Sequence, residues 1–219
     1  MRNGWKAVGT AFGLVTGVVL ATPTWALPLV SNARPAARPA NPWVYVTADS
    51  GNMARYRVRE QLVGHDLPND AVGSTGAITG SLTIGPDGKI DAATSKFVVE
   101  LKPLKSDQAC RDGYVQSRIL ETAQYPTAVL VPTSVSGLPI PLPTSGAATF
   151  DLVGDLTVHG ATRPTRWHVS ANVNGKDLTG TASTWFTFGD FGLNQPHVPI
   201  LLSLVDTIRL EYDLHLVRK

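Results

Sequence analysis

The chain predicts an all-β fold of antiparallel strands, and three observations carry that expectation. First, the dominant hydrophobic period is two. In Ile208-Arg209-Leu210-Glu211-Tyr212-Asp213-Leu214-His215-Leu216 apolar and polar residues alternate without exception, as in a strand with one buried face. Second, turn formers separate such runs: Gly85-Pro86-Asp87-Gly88, Asn174-Gly175-Lys176-Asp177 and the Gly- and Pro-rich stretch 137–146. Third, strands apolar on one face only do not suit a parallel sheet, which is covered on both faces. About eight of them call for an antiparallel sandwich or a closed barrel.

The elements follow in chain order. Arg2 and Lys6 precede an uncharged apolar stretch, residues 7–21, which ends near Thr24-Trp25-Ala26. Basic, apolar and small residues in that order predict a cleaved secretory signal peptide over residues 1–26. The stretch is short against the ~20 residues of a bilayer span, which favours a cleaved leader, with no stable membrane span after cleavage, over the alternative of an uncleaved N-terminal anchor. Residues 27–42 carry Pro28, Pro35, Pro39 and Pro42 among Ala, Asn and Arg, the composition of a tether. The folded domain is expected over residues 43–219.

Within it the alternating runs are Tyr56 and Val58; Ile78, Gly80, Leu82 and Ile84; Phe97, Val99 and Leu101; Phe150, Leu152, Gly154, Leu156 and Val158; Trp167, Val169, Ala171 and Val173; and Ala182, Thr184, Phe186 and Phe188. One or two short helices are expected. The clearer covers residues 107–121, with Ser106 or Asp107 as cap and Cys110, Tyr114, Ile119 and Leu120 on its inward side. The other covers residues 61–70.

Charge and motifs exclude several functions. Of the 19 Lys and Arg residues, Arg2 and Lys6 lie in the leader, leaving 17 against 17 acidic residues. No basic run remains to track nucleic-acid phosphates or a charged membrane surface. The single cysteine, Cys110, offers no internal disulfide and reads as a small buried residue. The sequence has no Gly-x-Ser-x-Gly elbow, and Pro86 stands where a phosphate-loop lysine would be. His65, His159, His168, His197 and His215 show no metal-ligand spacing, and His168 and His215 fall on the polar faces of their strands. No catalytic residue, metal or cofactor is therefore expected.

A set of motifs runs in order through this domain: Asp49-Ser50 before the first alternating run, Leu104-Lys105-Ser106-Asp107, Arg111-Asp112, Val115-Gln116-Ser117 and Tyr125-Pro126 with an extended run beyond it. Then come Gly154-Asp155-Leu156-Thr157-Val158-His159-Gly160-Ala161-Thr162-Arg163-Pro164, Asp190-Phe191-Gly192 and Ser203-Leu204-Val205-Asp206. This order resembles the YceI-like family of lipid- or polyisoprenoid-binding barrels of bacterial envelopes. The chain departs from the family in having Asp49-Ser50-Gly51-Asn52 where a His is common, and Phe188-Gly189 where a basic residue often precedes Asp-Phe-Gly.

The resemblance implies an eight-stranded, lipocalin-like antiparallel barrel with an apolar, hollow interior. It implies a periplasmic or secreted binding protein, not an enzyme, that shelters a long-chain isoprenoid or fatty-acyl-like lipid. The expected ligand-binding residues are the inward apolar set Tyr56, Val58, Ile78, Leu82, Phe97, Val99, Trp167, Val169, Phe186, Phe188, Leu210, Tyr212 and Leu214. Arg111-Asp112 reads as a helix-end ion pair, and Asp190-Phe191-Gly192 as a tight turn in which Gly192 allows positive φ. Two other readings stay open: an envelope enzyme or redox-linked accessory with a polar site at the barrel mouth (Arg111, Asp112, Tyr114), and a solid-cored interaction module. A homodimer is compatible with the sequence.

Overall fold

The computed structural model describes residues 41–219. The expected leader, residues 1–26, and the expected tether as far as residue 40 lie outside the described residues.

The strands are β1 (Trp43–Thr47), β2 (Met53–Leu62), β3 (Asn69–Thr75), β4 (Ile78–Ile84), β5 (Lys96–Glu100), β6 (Thr127–Ser136), β7 (Ser145–Val158), β8 (Ala161–Asn174), β9 (Asp177–Phe186) and β10 (Leu201–Arg218). All pairings are antiparallel, and β1–β10 pairing closes the sheet on itself. Both β1 and β2 lie along β10, β1 on its C-terminal end and β2 on the rest. Likewise β4 pairs with β1, and β3 with β2. β1 with β2, and β3 with β4, are thus two long, interrupted staves, so the ten strands make an eight-stave barrel, with no free edge along the closed part.

The interruption between β1 and β2 is held by a side chain. Gly51 takes φ 84° where the chain bulges against His215 of β10. Asn52 then supplies the missing ladder bonds. Its Nδ2 donates to the carbonyls of Ala48 and His215, each at 3.0 Å. Its Oδ1 accepts from His215 N–H at 3.0 Å and Tyr212 O–H at 2.6 Å. One amide thereby pairs the Ala48 carbonyl and the His215 N–H across the bulge, while the His215 carbonyl also accepts from Ala48 N–H at 2.9 Å.

Alternation in sequence becomes alternation in burial. Along β7, Ala148, Phe150, Leu152, Gly154, Leu156 and Val158 are buried while Thr149, Asp155 and their neighbours face outward. Along β8 the buried set is Thr165, Trp167, Val169, Ala171 and Val173. The Trp167 indole N–H is not wasted inside, because it donates to Thr165 Oγ1 at 2.9 Å, which in turn donates to the Gly154 carbonyl at 3.1 Å. His159 and Gly160, at φ 50° and 74°, form the two-residue turn joining β7 to β8, the handedness that matches strand twist.

Three local expectations change. Residues 61–70 are not a helix: Leu62 ends β2 opposite Leu201, and Asn69 already begins β3. Gly64, at φ 82°, and Pro68 both oppose a helix there. The expected 107–121 helix is shorter, running as α1 (Ala109–Tyr114) into a π turn (Val115–Ile119). Cys110, on α1, is exposed rather than buried. No helix among the described residues is long and apolar enough to cross a membrane.

Candidate binding cavity

The barrel is hollow. Its interior holds a cavity of about 650 Å³ lined by side chains from β2 through β10 and by the α1–π segment. That size lies within the ~300–1,000 Å³ of pockets that enclose small organic ligands. All thirteen residues expected to face inward line it: Tyr56, Val58, Ile78, Leu82, Phe97, Val99, Trp167, Val169, Phe186, Phe188, Leu210, Tyr212 and Leu214. Phe97 and Tyr212 meet edge to face inside, with ring centroids 6.1 Å apart.

Trp43, Tyr45, Ile84, Val173 and Leu216 are all buried in the core, and of these only Leu216 lines the cavity. The mouth is the end that reaches solvent. The exposed lining residues His65, Gln108, Cys110 and Ile200 come from the β2–β3 loop, the start of α1 and the approach to β10. Part of that end is covered by the short 3₁₀ turn Phe188–Phe191. There Thr187 and Asp190 form a capping box, the Asp190 carboxylate accepting Thr187 N–H at 2.7 Å. That hydrogen bond holds the Asp190 carboxyl below its usual range. Phe191 is buried against Phe186, with ring centroids 4.5 Å apart, and Gly192 closes the turn at φ 64°. Asp190-Phe191-Gly192 is thus a structural turn.

Few polar groups face the cavity, and most are engaged. The Arg111 guanidinium lies 2.7 Å from the Glu60 carboxylate, with side chains only 15 % and 8 % exposed, and it also contacts Asp107. The expected Arg111–Asp112 pair does not form. Asp112 instead accepts from Ser106 N–H at 2.8 Å and Ser106 O–H at 2.7 Å, fastening the start of the helix. Asp112 is therefore occupied, and Arg111, Asp112 and Tyr114 do not assemble a shared polar site. Burial pushes the Tyr56 phenol up to about 12, and it raises the Tyr212 phenol as well. Both stay neutral at physiological pH. Among the described residues no cluster of His, Cys, Asp and Glu is placed to hold a metal ion.

Sequence reasoning missed part of the lining. Leu193, Val198, Leu201 and Leu204 reach the cavity from the segment before and within early β10. Register shifts between Leu201 and Ser203, and between Leu204 and Ile208, break the two-residue period there. The uninterrupted apolar triplet Ile200-Leu201-Leu202 was the available signal.

A closed antiparallel barrel with a deep apolar lumen that opens to solvent defines a small-molecule-binding barrel class. The chain matches the YceI-like domain over residues 51–216. It belongs to the YceI-like family.

Similar proteins include UPF0312 proteins of Pseudomonas putida, 37 % identical over 111 residues, which cover 47 % of this chain and 54 % of the relative. The Pseudomonas fluorescens UPF0312 protein is 35 % identical over 112 residues, covering 47 % and 55 %. The chain thus spans about half the length of the curated relatives it matches. Among solved structures, the fold is similar to a polyisoprenoid binding domain from Saccharophagus degradans implicated in plant cell wall breakdown. That match has a TM-score of 0.62 and 13 % identity, covering 80 % of this chain and 98 % of the other. It is also similar to BcnA of Burkholderia cenocepacia, with a TM-score of 0.55 and 14 % identity, covering 76 % and 95 %.

Proposed function

We propose that this protein is an exported carrier that shelters one long-chain lipid, a polyisoprenoid or a fatty-acyl-like chain, in the barrel lumen. The observation that carries the reading is the apolar cavity of about 650 Å³ inside the barrel, which reaches solvent at the exposed His65, Gln108, Cys110 and Ile200. Burying hydrocarbon yields ~0.8 kcal/mol per CH₂, so about ten buried CH₂ units contribute ~8 kcal/mol before ordering costs. A dry lumen of this shape suffices for such a ligand without any reacting group.

The binding named for the Saccharophagus degradans domain supports the same ligand class. Binding rather than catalysis accords with a carboxylate, Glu60, that is already committed to Arg111. Export, to the periplasm or beyond, rests on the leader composition of residues 1–26. A hydrocarbon ligand needs a soluble shelter once outside the inner membrane.

Organic extraction of the purified protein followed by mass spectrometry tests the ligand, and N-terminal sequencing of the same sample tests the leader. The expected results are one lipid per chain and a mature N-terminus near Leu27. No stoichiometric lipid, together with no uptake of any added isoprenoid or fatty acid, would overturn the carrier reading.

A further inference from the structure

The large hydrophobic side chains left exposed on this barrel are not scattered. Of seven among the described residues, five fall on two segments: Val63 and Leu67 in the β2–β3 loop, and Ile200, Leu202 and Val205 at the start of β10. The segments are one surface, because Val63 N–H donates to the Ile200 carbonyl at 2.8 Å and Leu62 pairs with Leu201. Leu67 and Leu202 are 77 % and 61 % exposed. Contiguous apolar surface of this kind marks an interaction site.

The patch is continuous with the cavity. Leu62, Leu201 and Leu204 line the lumen, while their chain neighbours Val63, Leu202 and Val205 point to solvent. Ile200 does both. Whatever covers the rim therefore also faces the open mouth.

The chemistry of the rim narrows the occupant. Neither residues 60–70 nor residues 189–208 contain a Lys or Arg, and the neighbouring Arg59 and Arg111 are paired with Asp70 and Glu60, so the two apolar segments carry no cation of their own for an anionic surface. Its exposed large hydrophobics are all aliphatic, without the Tyr, Trp or Arg that anchor protein interfaces. Five exposed apolar side chains are also few against the roughly 20–30 residues a side of a stable protein interface. Aliphatic side chains on projecting loops do suit shallow insertion among acyl chains.

We propose that this aliphatic rim seats the barrel mouth on the surface of an uncharged lipid bilayer, so that a lipid passes between membrane and lumen without crossing water. The assignment of the traffic rests on the carrier reading above. The docking itself does not.

The test uses the protein purified from the full chain and neutral phosphatidylcholine vesicles carrying a fluorescent long-chain fatty acid. A double variant, Leu67→Ser with Leu202→Ser, alters two exposed side chains outside the cavity, and Val205→Ser provides an independent variant. The unaltered protein is expected to co-sediment with neutral vesicles, undiminished by added salt. The double variant is expected to bind about tenfold more weakly, a difference of about 1.4 kcal/mol, and to extract the fatty acid from vesicles correspondingly more slowly. Its loading from detergent solution stays unchanged.

Equal vesicle binding by both proteins would overturn the proposal. So would binding confined to anionic vesicles and abolished by salt, or a concentration-dependent dimer that the variant dissolves. Vesicle binding without fatty-acid uptake from any source would sustain the docking surface and count against the carrier reading instead.

Discussion

Glu60 on β2 and Arg111 on α1 face each other at 2.7 Å beside the barrel mouth. No residue of α1 is fully buried, and of its side chains only Tyr114 packs against the core. What holds it is polar: this ion pair, the Ser106–Asp112 bonds, and Gln116 Nε2 donating to the Leu104 carbonyl at 3.0 Å. The pair thus fastens a weakly packed helix to the wall of the lumen.

Removing one partner leaves the other charge poorly solvated. Glu60→Gln is expected to destabilise the fold by about 3 kcal/mol, the low end for a broken buried pair, because Arg111 keeps Asp107. Urea denaturation measures the loss. Amide exchange is expected to accelerate in residues 109–119 before the β7–β8 hairpin. Uniform acceleration would show that the pair does not hold the helix locally.

Ala182 lines the cavity from β9, opposite Val169 and Tyr212. Replacing it with Trp places a large side chain in empty space, so Ala182→Trp is expected to cost less than the ~1–3 kcal/mol of overpacking a filled core. The same variant is expected to abolish lipid loading. Thermal denaturation and extraction, measured on one sample, separate a hollow interior from a solid one. A large loss of stability with lipid retained would contradict the hollow barrel.

His215 differs from the freely solvated side chain that its position on the polar face of β10 suggests. The Asp177 carboxylate, 2.9 Å from its ring, holds it above the usual imidazole range, and the Ser50 carbonyl at 3.0 Å assists. A raised folded-state pKa contributes stability that is fully present below the unfolded value of ~6.5 and is lost as pH rises through the folded value. Asp177→Asn is expected to lower the His215 titration midpoint seen by NMR and to flatten that part of the stability profile. An unchanged midpoint would remove Asp177 as the cause.

Much of this was legible because the barrel wall obeys a strict period. Phe150, Leu152, Leu156 and Val158 face inward for the same reason they alternate with polar residues in the chain. Where side chains are small the signal fades. In β3 the inward residues are Ala71, Gly73 and Thr75, too small to mark a hydrophobic face. The Tyr56 ring from the neighbouring strand lies against Gly73, where any Cβ would collide with it. The stave was therefore invisible until the strand beside it was placed, and a helix was expected across its start. Ion-pair partners were equally hidden, since Arg111 reaches Glu60 across the fold in preference to its chain neighbour Asp112. The hollow interior came from family resemblance alone, because alternation specifies a face and not what fills the space behind it.

The central claim is that the lumen binds a lipid by burying its chain. Affinity measured across a series of fatty acids of increasing length tests it most directly. Each added CH₂ is expected to tighten binding about fourfold, the equivalent of ~0.8 kcal/mol, until the cavity is filled, after which affinity levels off. Affinity independent of chain length from the shortest member onward would contradict the account.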